Sequence, residues 1–206
     1  MPRSTVYIDG YNWYHAIFKH HPEWKWLNVQ RFFETLRPDD EIISIKMFSA
    51  MLPGEDAIRQ TRYFDALRTL PKVSVVLGVF QERVVTCKAN GCRYVFYEEK
   101  KTDVNIAVHM MADAFNDACD CMYVVSGDSD IQPAVEWVSK NKPIKVTVYI
   151  PALIQDQAKR RLDYYQTAHL PVVCKFLPLE NIKQHQFPNV VQLGGGKMCV
   201  RPHVWQ

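Results

Sequence analysis

A chain of 206 residues, 48% hydrophobic and 23% charged, has the length and apolar content for one substantial core, which excludes an intrinsically disordered protein. Its six cysteines are too sparse for a secreted disulfide framework, and Asp9, Asn12, His15 and Lys19 interrupt the amino terminus where a signal peptide needs an unbroken apolar run. With no long uncharged apolar run elsewhere, a soluble cytoplasmic protein with reduced thiols is expected, its net charge of +3 saying little by itself.

In chain order, Thr5 to Ile8 reads as a short strand ended by Asp9-Gly10, and Tyr11 to Lys19 as a helix stopped at His20, His21 and Pro22. A helix over Leu27 to Leu36 follows, with Phe32, Phe33 and Leu36 on one side and Asn28 as amino-terminal cap. Glu41 to Phe48 gives strand two. Glu55 to Leu70 gives a helix closed by Pro71, and Val73 to Phe80 gives strand three. Strands alternating with helices predict a mostly parallel α/β sheet.

The pattern then changes. Val84 to Cys87 and Cys92 to Tyr97, separated by Lys88-Ala89-Asn90-Gly91, predict a β-hairpin with Asn-Gly at its tip, an insertion over about 81–99. The next helix carries Val104, Ala107, Val108, Met111, Phe115 and Ala118 at helical spacing. Met122 to Ser126 is continuously apolar, as a strand covered on both faces must be, and is therefore placed centrally. A helix bearing Ile131, Ala134, Val135 and Val138 leads to a strand over Ile144 to Ile150, and Gln155 to Tyr165 is amphipathic with Ala158, Leu162 and Tyr165 inward. Val172 to Leu177 gives one more short strand, Leu179 to Gln184 a helical turn, and Val190 to Val200 around Gly194-Gly195-Gly196 a terminal hairpin. Residues 1–170 thus form the main domain, and 171–206 an extension packing on it.

Four aspartates fall at the carboxyl ends of predicted parallel strands or at the adjoining helix start: Asp9, Asp103, Asp128 and Asp130. The crevice outside those strand ends is where open α/β sheets bind ligands. Crowded carboxylates repel, so such a pocket takes up protons, recruits basic side chains or binds a cation, and an all-oxygen set suits Mg²⁺ or Mn²⁺ rather than zinc. Helix capping and the helix dipole account for single aspartates at these places, but two in the three residues Asp128-Ser129-Asp130 exceed what a cap requires. Lys100, Lys101 and Thr102 put two cations and a hydroxyl beside Asp103, fit to hold a phosphate next to a metal. Ser126 and Asn12 complete the candidates for orienting substrate or water.

Other clusters carry less. Cys87 and Cys92 bracket the hairpin tip as half a zinc knuckle does, without a matching second pair. Cys119 with Cys121, and His20, His21, His109, His169, His185 and His203, lack metal-ligand spacing. Trp13, Tyr14, Trp24 and Trp26 are core candidates that would also stack on unpaired bases, and Lys159-Arg160-Arg161 with Lys140, Lys142 and Lys145 are candidate backbone-contacting cations.

The segments Asp9-Gly10-Tyr11-Asn12, Lys101-Thr102-Asp103-Val104-Asn105-Ile106-Ala107 and Ser126-Gly127-Asp128-Ser129-Asp130, in that order, resemble the NYN domain family, a branch of the PIN-like nucleases, in its LabA-like subgroup. The resemblance spans roughly the first 150 residues. It implies a three-layer α/β/α sandwich around a mostly parallel sheet and a Mg²⁺- or Mn²⁺-dependent ribonuclease. The acidic positions carry over onto Asp9, Asp103, Asp128 and Asp130, with Asn12 as the motif asparagine. Gly127 stands where relatives often carry alanine.

The expectation is an endoribonuclease in which Asp9, Asp103, Asp128 and Asp130 hold one or two divalent cations, while Asn12, Lys101, Thr102 and Ser126 orient water or phosphate. RNA is the partner, no membrane is involved, and a homo-oligomer is left open. The competing reading is an RNA-binding or assembly module with a degenerate site. A phosphatase that phosphorylates a strand-end aspartate ranks lower, because position 11 is Tyr11 where that chemistry usually has a second acid. A Toprim-like site ranks lower too, since Asp9 stands where that fold uses a glutamate.

Overall fold

The computed structural model describes residues 1–87, 91–167 and 170–206. Its centre is the apolar alternation of two strands. In β1 (Arg3–Asp9), Val6 and Ile8 face one side and Tyr7 the other; in β6 (Cys121–Val125), Tyr123 and Val125 share the first side and Met122 and Val124 the second. Both strands are buried throughout their apolar residues, so both faces need cover.

The six-stranded sheet runs β3-β2-β1-β6-β7-β8 with every pairing parallel, where β2 is Glu41–Ser49, β3 Val73–Leu77, β7 Lys145–Ile150 and β8 Val172–Phe176. On one face lie α1 (Gly10–Trp13, continued as a π-helical turn through Phe18), α2 (Val29–Leu36) and α3 (Glu55–Arg68), which contribute Trp13, Ile17, Phe32, Phe33, Phe64 and Leu67. On the other lie α4 (Thr102–Phe115), α5 (Gln132–Asn141) and α6 (Gln155–Thr167), with Ile106, Met110, Val135, Val138 and Ala158 against the sheet. This is the three-layer α/β/α sandwich expected. The chain builds outward from β1 to β3 in one direction and from β6 to β8 in the other, so the strand order reverses between β1 and β6.

Local chemistry fixes the elements as read. Asn28 caps α2 by accepting from Arg31 N at 2.9 Å. At the amino-terminal end of the sheet, the buried carboxylate of Asp40 accepts from Ser4 Oγ, Arg37 Nε and Tyr123 OH. Burial alone would raise its pKa, yet the Tyr123 and Arg37 bonds hold it below the usual range. On the helix side, Tyr7 Oη and Lys46 Nζ reach Asp113 Oδ2 at 2.6 and 2.5 Å, tying β1 and β2 to α4 and fixing the helix that starts at the site.

Two expectations need correction. The strand read as Val73 to Phe80 ends at Leu77: Gly78 turns the chain out of the sheet into β4 (Val79–Thr86), which pairs antiparallel with β5 (Arg93–Lys100) as a separate two-stranded sheet. A Cβ on Gly78 would stand 2.6 Å from Lys100 O and 2.7 Å from Thr102 Oγ1, so only glycine lets the two feet of the hairpin close at this point. The Asn90 expected at the tip lies, with Lys88 and Ala89, outside the described residues, as does His169. Second, α4 buries Thr102, Ile106, Met110 and Ala114, while Val104, Val108 and Phe115 are exposed. Apolar residues on both flanks of that helix made the wrong stripe look as good as the right one.

The carboxyl-terminal residues add β9 (Val190–Gln192) paired with β10 (Met198–Val200). They lie against the α2–α3 side, with Trp205 in ring contact with Trp26 and Tyr63 and Cys199 Sγ on Arg62 O. Among the described residues no helix is long and apolar enough to cross a membrane.

Candidate active site

At the point where the strand order reverses, β1 ends in Asp9 and β6 is followed at once by Ser126. Asp9 is only 3% exposed. Its Oδ1 caps α1 by accepting from Asn12 N at 2.9 Å, and its Oδ2 accepts from Ser126 Oγ at 2.7 Å. Asn12 in turn reaches across to the β6 loop, its Oδ1 accepting from Gly127 N at 3.0 Å. Ser126 Oγ also accepts from Asp128 N at 2.9 Å, and Asp128 Oδ1 accepts from Asp130 N at 3.0 Å. One chain of hydrogen bonds thus runs from the first strand to the start of the segment before α5.

The cleft beside this network has a volume of about 300 Å³. Asp9, Asp103 and Asp128 line it, together with Asn12, Thr102, Tyr11 and the foot of the hairpin from Phe96 to Lys100. The structure therefore brings three of the four aspartates to one cleft. Asp130 is exposed and outside the lining, though its charge is felt by Asp103. Of the orienting candidates, Asn12, Thr102 and Ser126 stand at the cleft or bonded to it. Lys101 is exposed, with φ +78°, and its place in the lining is taken by Lys100, which pairs with Glu98 at 2.7 Å.

Glu99 escaped the sequence reading. It sits at the end of β5, lines the cleft and accepts a short hydrogen bond from Thr102 Oγ1. Its signal was its place just before Lys100-Lys101-Thr102-Asp103, masked by treating the hairpin as a projection away from the site. The hairpin instead returns its foot to the acids.

The electrostatics are those of crowded carboxylates. Burial pushes Asp9 up to about 6, against the lowering effect of its bonds from Asn12 and Ser126 and with the charges of Asp103 and Asp128 adding to the rise. Glu99 is pushed up to about 7, first by burial and then by Asp9 and Asp103, against its Thr102 bond. Asp103 is raised by burial and by Asp128 and Asp130. Each of these groups is easier to ionise if a cation stands among them.

The donor set is all oxygen, which fits a hard divalent ion. Among the described residues no group of three or more His, Cys, Asp or Glu stands close enough to hold a metal ion directly. Mg²⁺ is commonly bound by one or two carboxylates with waters filling its shell, so an ion here would rest on Asp9 with Asp128 or Asp103, not on the four-acid set expected from the sequence. No group with zinc-site spacing forms around Cys87 or Cys92 among the described residues either.

Comparison with known proteins places the chain. A Vibrio parahaemolyticus protein of unknown function, solved by crystallography, matches with a TM-score of 0.53 at 18% identity, covering 84% of this chain and 92% of that one, which bears on the fold alone. A curated relative, the 6-hydroxy-3-succinoylpyridine 3-monooxygenase of Pseudomonas putida, is 26% identical, covering 98% of this chain and 75% of that enzyme. The NYN domain family model matches residues 3–170, from the first residue of β1 to beyond α6 and so across all three acidic segments. The chain belongs to the NYN domain family, and its fold is the nuclease-like α/β/α sandwich of that family.

Proposed function

We propose that this protein is a divalent-metal-dependent ribonuclease that hydrolyses RNA phosphodiester bonds at the cleft of Asp9, Asp103 and Asp128. The observation that carries the reading is the buried carboxylate of Asp9, oriented at both oxygens and sharing a cleft with two acids from other elements at the point where the sheet order reverses. A structural carboxylate buried so deeply normally has a basic partner; among the described residues Asp9 has only neutral donors and acidic neighbours.

When bound, Mg²⁺ or Mn²⁺ supplies Lewis acidity, lowering the pKa of water and offsetting the charge of the phosphate. The chain's own residues do the rest. Ser126 and the Asn12 amide each hold one Asp9 oxygen, so the carboxylate is kept in one orientation at the cleft wall. Asp128, anchored through its own backbone to Ser126, and Asp103 on the first turn of α4 approach from the other strand and helix. Asp130 bonds back to Asp128 through its amide and acts at longer range. Glu99, whose pKa burial and its acidic neighbours raise to about 7, is the natural group to hold or pass a proton at the cleft wall. Lys100, paired to Glu98 on the same wall, and exposed Lys101 offer positive charge to the strand.

A second reading comes from the relative named a 6-hydroxy-3-succinoylpyridine 3-monooxygenase. Tyr11, at the wall of the acid cleft, also lines a second cavity of about 210 Å³ with Tyr14, Tyr63, Phe80 and Trp205, a size for one such ring, which favours a small heteroaromatic substrate there. One experiment separates these readings. Purified protein is incubated with labelled single-stranded RNA, structured RNA and DNA in Mn²⁺, Mg²⁺ or EDTA. RNA fragments that form only with a divalent ion support the ribonuclease; RNA retention without product indicates the binding module; neither result leaves the small-molecule reading.

A further inference from the structure

The backbone at Gly127 does not call for glycine, since its φ lies outside the left-handed region. The glycine makes room for a side chain instead. An added Cβ would stand 2.7 Å from Arg161 Nη1, 3.0 Å from Cδ and 3.4 Å from Cζ, so the arginine of α6 lies along the loop that joins Ser126 to Asp128. In that loop Ser126 bonds Asp9, Gly127 N donates to Asn12 and Asp128 lines the acid cleft. One guanidinium is thereby seated at the edge of the cleft, in a place that even the methyl group of alanine would take.

The charge of that guanidinium is not spent on the protein. Arg3, Arg37, Arg59, Arg68 and Arg83 each form an ion pair with a carboxylate. Arg161 is exposed, and among the described residues it has neither an ion pair nor a hydrogen bond, although Asp128 directly follows the glycine it covers. Lys100, the cation in the lining of the cleft, is by contrast paired with Glu98 at 2.7 Å. A guanidinium held against an acid-bearing loop without closing on its acids keeps its fork of N–H donors for an incoming anion, and that fork matches two oxygens of a phosphate.

We propose that Arg161 grips a phosphate of the RNA strand at the edge of the acid cleft, its guanidinium donating to two non-bridging oxygens. The proposal rests on the ribonuclease reading and adds the residue that holds the substrate's charge. The labour is divided across one loop: Asp9 and Asp128 serve the cation, Arg161 serves the phosphate, and Gly127 lets the two stand side by side. A phosphate so held meets a positive charge before it meets the acids, which alone would repel it.

The test follows one labelled single-stranded oligoribonucleotide with the full chain: binding by fluorescence anisotropy in EDTA over a range of sodium chloride, and cleavage in Mn²⁺. Arg161→Ala is expected to weaken binding about tenfold and to flatten the slope of log K against log salt by about 0.7, the counterions of one contact on a single strand. Arg161→Lys keeps the charge and should keep the slope, but should cleave about tenfold more slowly, because an ammonium does not match two oxygens at once. Guanidinium ion, against sodium chloride at equal concentration, should restore part of the cleavage lost in Arg161→Ala, which it would not do for a residue that merely covers the glycine. Arg31→Ala, which removes an exposed arginine from α2 on the opposite face of the sheet, should change neither slope nor cleavage. An unchanged slope in Arg161→Ala, or an equal loss in Arg31→Ala, overturns the contact. Failure of the ribonuclease reading looks different: RNA binding with an Arg161-dependent slope but no cleavage keeps the contact and removes the nuclease, and cleavage that proceeds equally without Arg161 keeps the nuclease and removes the contact. A wild type that neither binds nor cleaves RNA overturns both.

Discussion

Ser126 Oγ donates to Asp9 Oδ2 at 2.7 Å, joining the ends of the two strands between which the sheet reverses its order. The same oxygen accepts the Asp128 amide, so one hydroxyl orients the buried acid and the loop that carries the second. Ser126→Ala removes both bonds. It should cost about 1–3 kcal/mol, because Asp9 loses a donor and a backbone amide loses its acceptor. It should also raise the Asp9 pKa further, since that bond now lowers it. Urea denaturation and the acid limb of the activity profile measure the two effects.

Asp9→Asn should abolish cleavage and yet stabilise the metal-free protein. With its pKa raised from 3.8 to about 6, the carboxylate costs the fold about 3 kcal/mol once ionised. Asparagine keeps an oxygen for the Asn12 amide and presents an amino group to Ser126. A higher urea midpoint for the variant at pH 8 in EDTA is expected; an equal or lower one shows that the ionised carboxylate is not under strain.

The pH dependence follows in sign from the same groups. Folded-state carboxyls with raised pKa values stabilise the protein fully below their unfolded values near 4, and that stability is lost as pH rises through about 6 for Asp9 and about 7 for Glu99. Metal-free protein should therefore lose stability from pH 4.5 to 7.5 relative to Glu99→Gln. Mn²⁺ should restore it, with protons released on binding at pH 6.5. Calorimetric titration in two buffers of different ionisation enthalpy counts those protons.

Gly127 has a local reason. A Cβ there would meet Arg161 Nη1 at 2.7 Å and Cδ at 3.0 Å, so the side chain from α6 lies directly over the loop between the acids. These are the far atoms of a flexible side chain, and Gly127→Ala should change stability by only about 0.5 kcal/mol while displacing the guanidinium. If Arg161 contacts the RNA backbone, Gly127→Ala and Arg161→Ala weaken RNA binding alike, flatten its salt dependence, and do not add in the double variant. Full additivity contradicts that link.

The sheet was legible because the strands speak clearly: β6 is apolar at every position, and Asn28, Pro71 and Pro143 punctuate the helices as capping and breaking chemistry requires. Asp9, Asp103 and Asp128 were legible because each follows an apolar run or opens a helix. What the residues hid were relations between elements. Val104, Val108 and Phe115 repeat at helical spacing as regularly as Ile106, Met110 and Ala114, and periodicity alone does not say which stripe meets the sheet. Glu99 was hidden because its role depends on Gly78 letting the hairpin's feet close beside Thr102. Asp130 looked equal to Asp128 in sequence, but its backbone N–H donates to Asp128 Oδ1 and its own side chain stands at the surface.

The most direct test of the central claim is cleavage of labelled single-stranded RNA in Mn²⁺ by the wild-type chain and by Asp128→Asn, each confirmed folded by circular dichroism. The cleft account predicts cleavage by the wild type that EDTA abolishes, and none by the variant. EDTA-resistant cleavage, or full metal-dependent activity in Asp128→Asn, contradicts it.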